Sequence, residues 1–242
     1  MLLHRDSPEP LYIQIKGYLV DEIIAGRYQP DQRLPSEREL SELFDVGRMT
    51  VRQALQELFH EGKIYTRTGK GTFVQGPKID QQLRALTGFS EEERIRGSHP
   101  SSRVLEAKIT PAGTQVASVL RILPGKDVIL LARLRLSNGI PLALESASLP
   151  NHLFPGLLEH DFAIESLYEV LMRDFGIRLM QAEQTLEAAL ASTYEAEMLG
   201  LKPPAAVLKM ERLTHDQDGR IVEYVHSTYR GDRYKLRTVL QA

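Results

Sequence analysis

At 242 residues, 42% of them hydrophobic, the chain is long enough for one large or two ordinary domains with real cores, which excludes an intrinsically disordered polypeptide. Lys plus Arg (30) nearly balance Asp plus Glu (32), so affinity for a polyanion has to come from local charge and not from a global basic field. Cysteine is absent, which excludes disulfides, thiolate metal sites and cysteine nucleophiles. No apolar run approaches the ~20 residues of a membrane helix, and the polar residues from His4 onward do not read as a signal peptide. The expectation is a cytoplasmic protein with no membrane partner.

Leu11, Ile15, Leu19 and Ile23 recur every fourth residue and predict an amphipathic helix over 10–25, ended by Gly26. Residues 34–40 read Leu-Pro-Ser-Glu-Arg-Glu-Leu. Ser36 is placed to cap a helix over 36–43, and Glu39, three residues on, completes a capping box. Asp45-Val46-Gly47 is a turn. Val51, Ala54, Leu55 and Leu58 then share one face of a helix over 48–60 that stops at Gly62. Residues 63–68 and 71–75 read as two short strands around Gly69-Lys70. Gly76-Pro77 cannot continue a strand regularly, so a first domain is expected over 1–76, a linker over 77–83 and a second domain over 84–242.

Helix, turn, helix and hairpin in that order predict a winged helix-turn-helix, a module that lays its second helix in the DNA major groove. From residue 48 to 70 the basic side chains are Arg48, Arg52, Lys63, Arg67 and Lys70 against Glu57 and Glu61, a local surplus suited to phosphates. Arg48 and Arg52 stand at the start of the second helix, where guanidinium groups can pair with guanine edges. Thr50 and Gln53 can reach phosphates or bases, and Arg38 can do so from the preceding helix. Lys70 at the wing tip suits a minor groove, with Gly69 and Gly71 permitting close backbone approach.

Residues 11–74 resemble the winged helix-turn-helix of the GntR transcription-factor superfamily. The resemblance is carried by Pro10-Leu-Tyr-Ile-Gln-Ile15, the 34–40 segment, Thr50-Val-Arg-Gln-Ala-Leu55 and Gly69-Lys-Gly-Thr-Phe-Val74. It implies operator contacts by Arg38, Arg48 and Gly69. One departure is Gly47, where the family commonly has a serine that caps the recognition helix.

The second half mixes strands with short helices. A strand is expected over 103–109, a short helix over 111–119 with Pro111 at its start, and strands over 128–137 and 140–149 around Asn138-Gly139, a strong hairpin signal. A helix over 165–175 ends at Gly176. A strand over 178–190, a helix over 193–199, a hairpin of 207–214 with 220–229 and a last strand over 234–240 complete the pattern. Hairpin-linked strands of this kind predict an α+β fold with an antiparallel sheet.

The segments Leu86-Thr-Gly-Phe-Ser-Glu-Glu92, Arg133-Leu-Arg-Leu136, Leu144-Glu145, Ser166-Leu-Tyr168 and Tyr229-Arg-Gly-Asp-Arg-Tyr234 resemble the UTRA domain of the HutC subfamily. That domain is similar in fold to chorismate lyase. The all-helical GntR versions carry a histidine-rich metal site. Here the seven histidines, at 4, 60, 99, 152, 160, 215 and 226, show no helical metal spacing. Neither a metal, a cofactor nor a catalytic residue is expected, since no nucleophile–base pair stands out. A chorismate-lyase-like enzyme is the remote alternative.

Arg133 and Arg135 are two apart on a strand, so they point to one face. Side by side they repel unless an anion sits between them. A two-residue turn at Asn138-Gly139 would pair Arg133 with Leu144, and a three-residue loop including Ile140 would pair it with Glu145. UTRA domains resembling this one gather all three around the ligand, so the three-residue register is expected. Ser90 reads as a helix cap with Glu93 completing a box. In sugar-phosphate-sensing relatives the equivalent of Phe89-Ser90 binds phosphate, although Glu91 and Glu92 would repel it unless turned away. Ser166 is a further cap candidate beside the Tyr168 hydroxyl, and Glu223 and Tyr229 share one strand face. Arginines with carboxylates and hydroxyls suit an anionic, hydroxyl-rich small molecule. Within the family, N-acetylglucosamine-6-phosphate or glucosamine-6-phosphate fits best, with urocanate, a phosphonate or trehalose-6-phosphate as alternatives. The resemblance also implies a homodimer that represses from a palindromic double-stranded operator.

Overall fold

The computed structural model describes residues 3–67, 69–76, 78–83 and 86–239. The chain divides into two compact units, Met1–Lys78 and Ile79–Ala242.

In the first unit, α1 (Leu11–Ile24), α2 (Glu37–Phe44) and α3 (Arg48–His60) precede an antiparallel hairpin of β1 (Ile64–Arg67) and β2 (Gly71–Val74). The apolar stripes of the three helices meet in one core, where Ile15 and Leu19, Leu40 and Phe44, and Val51 and Leu58 are buried together. Ser36 and Glu39 form the expected capping box. The Ser36 Oγ accepts from the Glu39 backbone N–H at 3.3 Å, and the Ser36 N–H donates to the Glu39 carboxylate at 2.7 Å. Asp45 takes a left-handed conformation (φ 49°) that ends α2 and turns the chain into α3. Tyr65 and Phe73 stack across the hairpin at 5.5 Å, with the Arg67 guanidinium 5.0 Å above the Phe73 ring. Thr68, expected at the end of the first strand, and Pro77, expected at the linker, lie outside the described residues.

The second unit opens with β3 (Ile79–Gln82) and α4 (Phe89–Ile95), followed by β4 (Pro100–Pro111), α5 (Thr114–Leu120), β5 (Asp127–Ser137) and β6 (Ile140–Pro150). Then come α6 (Leu167–Phe175), β7 (Leu179–Leu190), α7 (Thr193–Leu199), β8 (Ala206–Asp216), β9 (Ile221–Arg230) and β10 (Tyr234–Arg237). Six strands make an antiparallel sheet in the order β4-β5-β6-β9-β8-β7. The fold is α+β, a winged helix-turn-helix followed by a sheet domain.

Three details differ from expectation. Residues 79–82, assigned to the linker, form β3 and pair in parallel with β10, Ile79 opposite Tyr234. Leu240, the expected end of the last strand, lies outside the described residues. The helix expected from Pro111 begins at Thr114, because Pro111 still pairs with Asp127 and the Ala112 N–H still donates to the Lys126 carbonyl. Ladder bonding thus outweighs the helix-start preference of proline.

Besides β3 and the later start of the helix, the third difference is the β5–β6 hairpin. Asn138 (φ 48°) and Gly139 (φ 75°) both adopt positive φ, as a two-residue type I′ turn demands. Ser137 pairs with Ile140 and Leu136 with Pro141, but Arg135 pairs with Ala143 and Arg133 with Glu145. The expected pairing of Arg133 and Glu145 is present, and the three-residue loop proposed to produce it is not. A bulge at Leu142 supplies the extra residue instead. It lies next to Pro141, which has no N–H to give to the ladder.

Along β5 the residues Ile129, Leu131, Arg133 and Arg135 alternate with the pleat and share one face. At one end of that face Ile129, Leu131, Ala147 and Leu149 pack against Val170 and Leu171 of α6. Two residues later the face turns charged, and that change of character places the site.

Candidate functional site

On the first unit, Arg38, Arg48, Gln53, Gly69 and Lys70 are exposed and Thr50 is half-buried. Arg38 lies 3.3 Å from Glu42 one turn on. Arg52 is engaged more fully. Its Nε and Nη2 donate to the two carboxylate oxygens of Glu37 at 3.1 and 2.8 Å, tying α3 to α2. This hydrogen-bonded guanidinium holds the Glu37 carboxyl below its usual range, against the opposing effect of burial. Arg52 is therefore a brace between the two helices as well as an exposed basic group. Gly69 (φ 72°) and Gly71 (φ 109°) turn the wing tip. A Cβ at Gly71 would come within 2.9 Å of the Arg33 guanidinium.

In the second unit all nine residues selected for the effector line one cavity. Arg133, Arg135 and Glu145 come from the hairpin, and Glu223 and Tyr229 from β9. Phe89 and Ser90 come from α4, and Ser166 and Tyr168 from the start of α6.

Arg133 and Arg135 are almost completely buried and share a single carboxylate. Arg133 Nη2 donates to Glu145 Oε1, and Arg135 Nη1 reaches the same oxygen at 3.4 Å. Arg135 Nη2 also donates to the Ser90 hydroxyl at 2.9 Å, with its guanidinium 4.6 Å from the Phe89 ring centroid. Burial pushes Arg135 down to about 10, with Arg133 adding to the shift and Glu145 opposing it. Burial would raise Glu145, but the two arginines outweigh it and hold the carboxyl at about 2. Two cations facing one anion leave donors over. Arg133 Nε and Nη1, Arg135 Nε and the Ser227 hydroxyl are buried with no hydrogen-bond partner among the described residues. Such groups cost roughly 1–3 kcal/mol each when left unpaired.

A second carboxylate stands across the cavity. Glu223 accepts from the Tyr168 hydroxyl at 2.8 Å and from the Thr214 hydroxyl at 3.1 Å. Burial raises its pKa, as does the Glu145 charge, and these two hydrogen bonds and Arg212 offset only part of the rise. Burial likewise raises the hydroxyls of Tyr168 and Tyr229, so both are donors at neutral pH.

Ser90 does not cap its helix. Gly88 is the N-cap of α4, and Glu93, needed for the box, accepts instead from the Ser137 hydroxyl and from Arg96 at 2.7 Å. The Ser90 hydroxyl is thereby turned toward Arg135 and the cavity. Glu92 lines the cavity as well, but it accepts from Gln81 and Thr87, both at 2.5 Å. Ser166 does cap α6, accepting weakly from the Glu169 N–H at 3.5 Å.

Sequence reasoning missed Arg212, Gln81 and Ser227. Arg212 donates to Gln184 at 2.8 Å and to the Thr87 carbonyl at 3.3 Å. It shares the parity of Met210 and Thr214 on β8, so the pleat could have revealed it. Gln81 sits on β3, whose pairing left no local signal.

Residues 11–74 match the family model for bacterial regulatory proteins of the gntR family, and residues 96–235 match the UTRA domain. The chain is 41% identical over 234 residues to the HTH-type transcriptional repressor NagR of Bacillus subtilis (strain 168), covering 97% of this chain and 96% of that one. It is 33% identical over 236 residues to the HTH-type transcriptional repressor PhnF of Mycolicibacterium smegmatis, covering 98% and 95%. The crystal structure of PhnF from Mycobacterium smegmatis superposes with a TM-score of 0.66 at 32% identity, covering 94% of this chain and 99% of that one. The chain is thus similar to known transcriptional repressors over nearly its whole length. The chain belongs to the GntR family of bacterial regulatory proteins, in the HutC branch defined by its UTRA domain, and is a DNA-binding transcriptional repressor.

Proposed function

We propose that this repressor acts as a homodimer on a palindromic operator and is released when an amino-sugar phosphate, N-acetylglucosamine-6-phosphate or glucosamine-6-phosphate, fills the cavity of the second unit. The observation that carries the reading is the buried pair Arg133 and Arg135, with three nitrogen donors unpartnered among the described residues and one carboxylate between them. A phosphate satisfies those donors and, with the Ser90 hydroxyl, offsets the cost of their burial. Glu223, Tyr168 and Tyr229 suit the hydroxyls of a sugar ring, which both donate and accept.

Gln81 belongs to the strand that follows the link between the units and lines the same cavity. An occupant therefore acts on the chain at that link, and a coupling of roughly 1–3 kcal/mol suffices for induction. DNA contacts by Arg38, Arg48, Thr50, Arg52, Gln53, Gly69 and Lys70 belong to the same reading. The test is a thermal-shift titration against the two phosphosugars, urocanate and free glucosamine. A ligand at a hundred times its Kd adds roughly 2.7 kcal/mol, a readable shift. Response to the phosphosugars alone is expected, and a response to urocanate or silence to all four refutes the assignment.

A further inference from the structure

The reading helix presents something other than charge at its centre. At about 100° per residue, the buried residues Val51, Ala54, Leu55 and Leu58 of α3 define one direction, and Met49 lies within roughly 10° of its opposite. Arg48, Thr50 and Arg52 stand about 70–110° to the sides of that line. Gln53, one turn after Met49, shares its face. Met49 is 70% exposed, the largest apolar surface on α3, and it occupies the second position of the turn that enters the groove. Arg52, the neighbouring cation, is held to the side by Glu37. Gly47 before the helix carries no side chain to fill the space in front of it, and a Cβ built there meets nothing within 4 Å among the described residues.

An exposed methionine so placed faces the floor of the major groove. The only sizeable apolar group presented there is the C5-methyl of thymine, and the partner adenine offers N6 and N7 to a glutamine amide. We infer that Met49 and Gln53 together read an A·T base pair, Met49 packing on the thymine methyl and Gln53 hydrogen-bonding the adenine. The inference rests on the DNA-binding activity of the family and is independent of the effector. The flexible thioether adapts to the methyl where a branched side chain would have to be placed more closely.

The test removes the methyl and nothing else. A duplex is selected with the full chain from a random-sequence pool, and its thymines are replaced one at a time by deoxyuridine. Binding to each is then measured for the wild type, Met49→Ala and Met49→Leu. The wild type should weaken about four-fold at one position in each half-site, the worth of one methyl group. Met49→Ala should bind the parent duplex more weakly by a similar factor and be indifferent to that same replacement, and Met49→Leu should keep the sensitivity. Circular dichroism should be unchanged, since Met49 contributes nothing to the core. A wild type insensitive to every replacement, or a Met49→Ala variant with the wild-type pattern of losses, overturns the assignment.

Discussion

Arg38 and Arg52 of the winged unit leave 66% and 50% of their side chains in solvent, whereas Arg133 and Arg135 of the sheet unit leave 2% and 4%. The exposed set contributes little to the fold, since surface ion pairs are worth about 0–1 kcal/mol. It stays hydrated and ready to displace counterions from a polyanion. The buried set carries a desolvation cost that a single carboxylate only partly offsets. One unit thus holds its charges at the surface for a large, highly charged partner. The other withdraws them from water, where one small anion can change the energy of the whole site.

The largest effect should come from breaking the buried set. Arg133→Ala leaves Glu145 in the interior with Arg135 alone, 3.4 Å away. Loss of one partner from a buried pair costs about 3–5 kcal/mol, which urea denaturation will register. A loss below about 1 kcal/mol would place the pair with ordinary surface bridges. The mirror experiment is Arg48→Ala. Stability should stay within about 0.5 kcal/mol of wild type, while operator affinity falls by about 1–3 kcal/mol, the worth of a bidentate guanine contact. Filter binding and melting on the same samples separate the two quantities. A variant that melts early and binds normally would reverse the comparison.

How far this contrast was legible in the sequence differs between the units for the same physical reason. The winged unit is built from local signals. The Ser36 capping box, the four-residue spacing of Leu11 to Ile23 and the glycines of the wing each act within a few residues, and the helices begin and end close to where they predict. In the sheet unit, parity along β5 and β9 correctly brought Arg133, Arg135, Glu223 and Tyr229 to one cavity. The non-local features were not visible. The β3–β10 pairing joins residues more than a hundred and fifty positions apart, so Gln81 escaped notice. The bulge at Leu142 gave the expected Arg133–Glu145 pairing by an unexpected route. Ser90 resembled a cap because the pattern Ser-x-x-Glu is silent about Ser137 and Arg96, which take the Glu93 carboxylate away.

Within the cavity itself the two buried carboxylates should respond oppositely to pH. Glu145 is depressed to about 2 in the folded chain, so its contribution to stability is present above the ordinary carboxylate range near 4.3 and lost as pH falls toward 2. Glu223 is raised. It favours the fold below about 4.3, and that favour disappears as pH rises through its folded pKa. Glu145→Gln should therefore be destabilised at pH 7, with the deficit shrinking on acidification. Glu223→Gln, which imitates the protonated acid, should improve relative to wild type as pH rises from 4 to 7. Melting curves across that range suffice. Parallel pH profiles for the two variants would show that the arginines do not distinguish the carboxylates.

The finest test of the comparison uses two glycines in the same structural role. Gly47 caps α3 and Gly88 caps α4, both with extended backbones (φ −63° and −87°) that any residue can adopt. Serine at either position can accept a hydrogen bond from the first turn, a gain of a few tenths of a kcal/mol over glycine. At Gly47 a Cβ meets none of the described residues within 4 Å, so Gly47→Ser should raise the melting temperature of the winged unit by roughly 1–2 °C. At Gly88 the same Cβ stands 3.1 Å from the Tyr168 ring, whose hydroxyl donates to Glu223. The ring must move by a few tenths of an ångström, so Gly88→Ser should gain nothing and should weaken effector binding through Tyr168. Equal gains at the two caps would mean that the cavity wall yields as readily as open surface. A gain at Gly47 alone would mark α4 as part of the cavity, held by what packs on its cap as much as by its own hydrogen bonds.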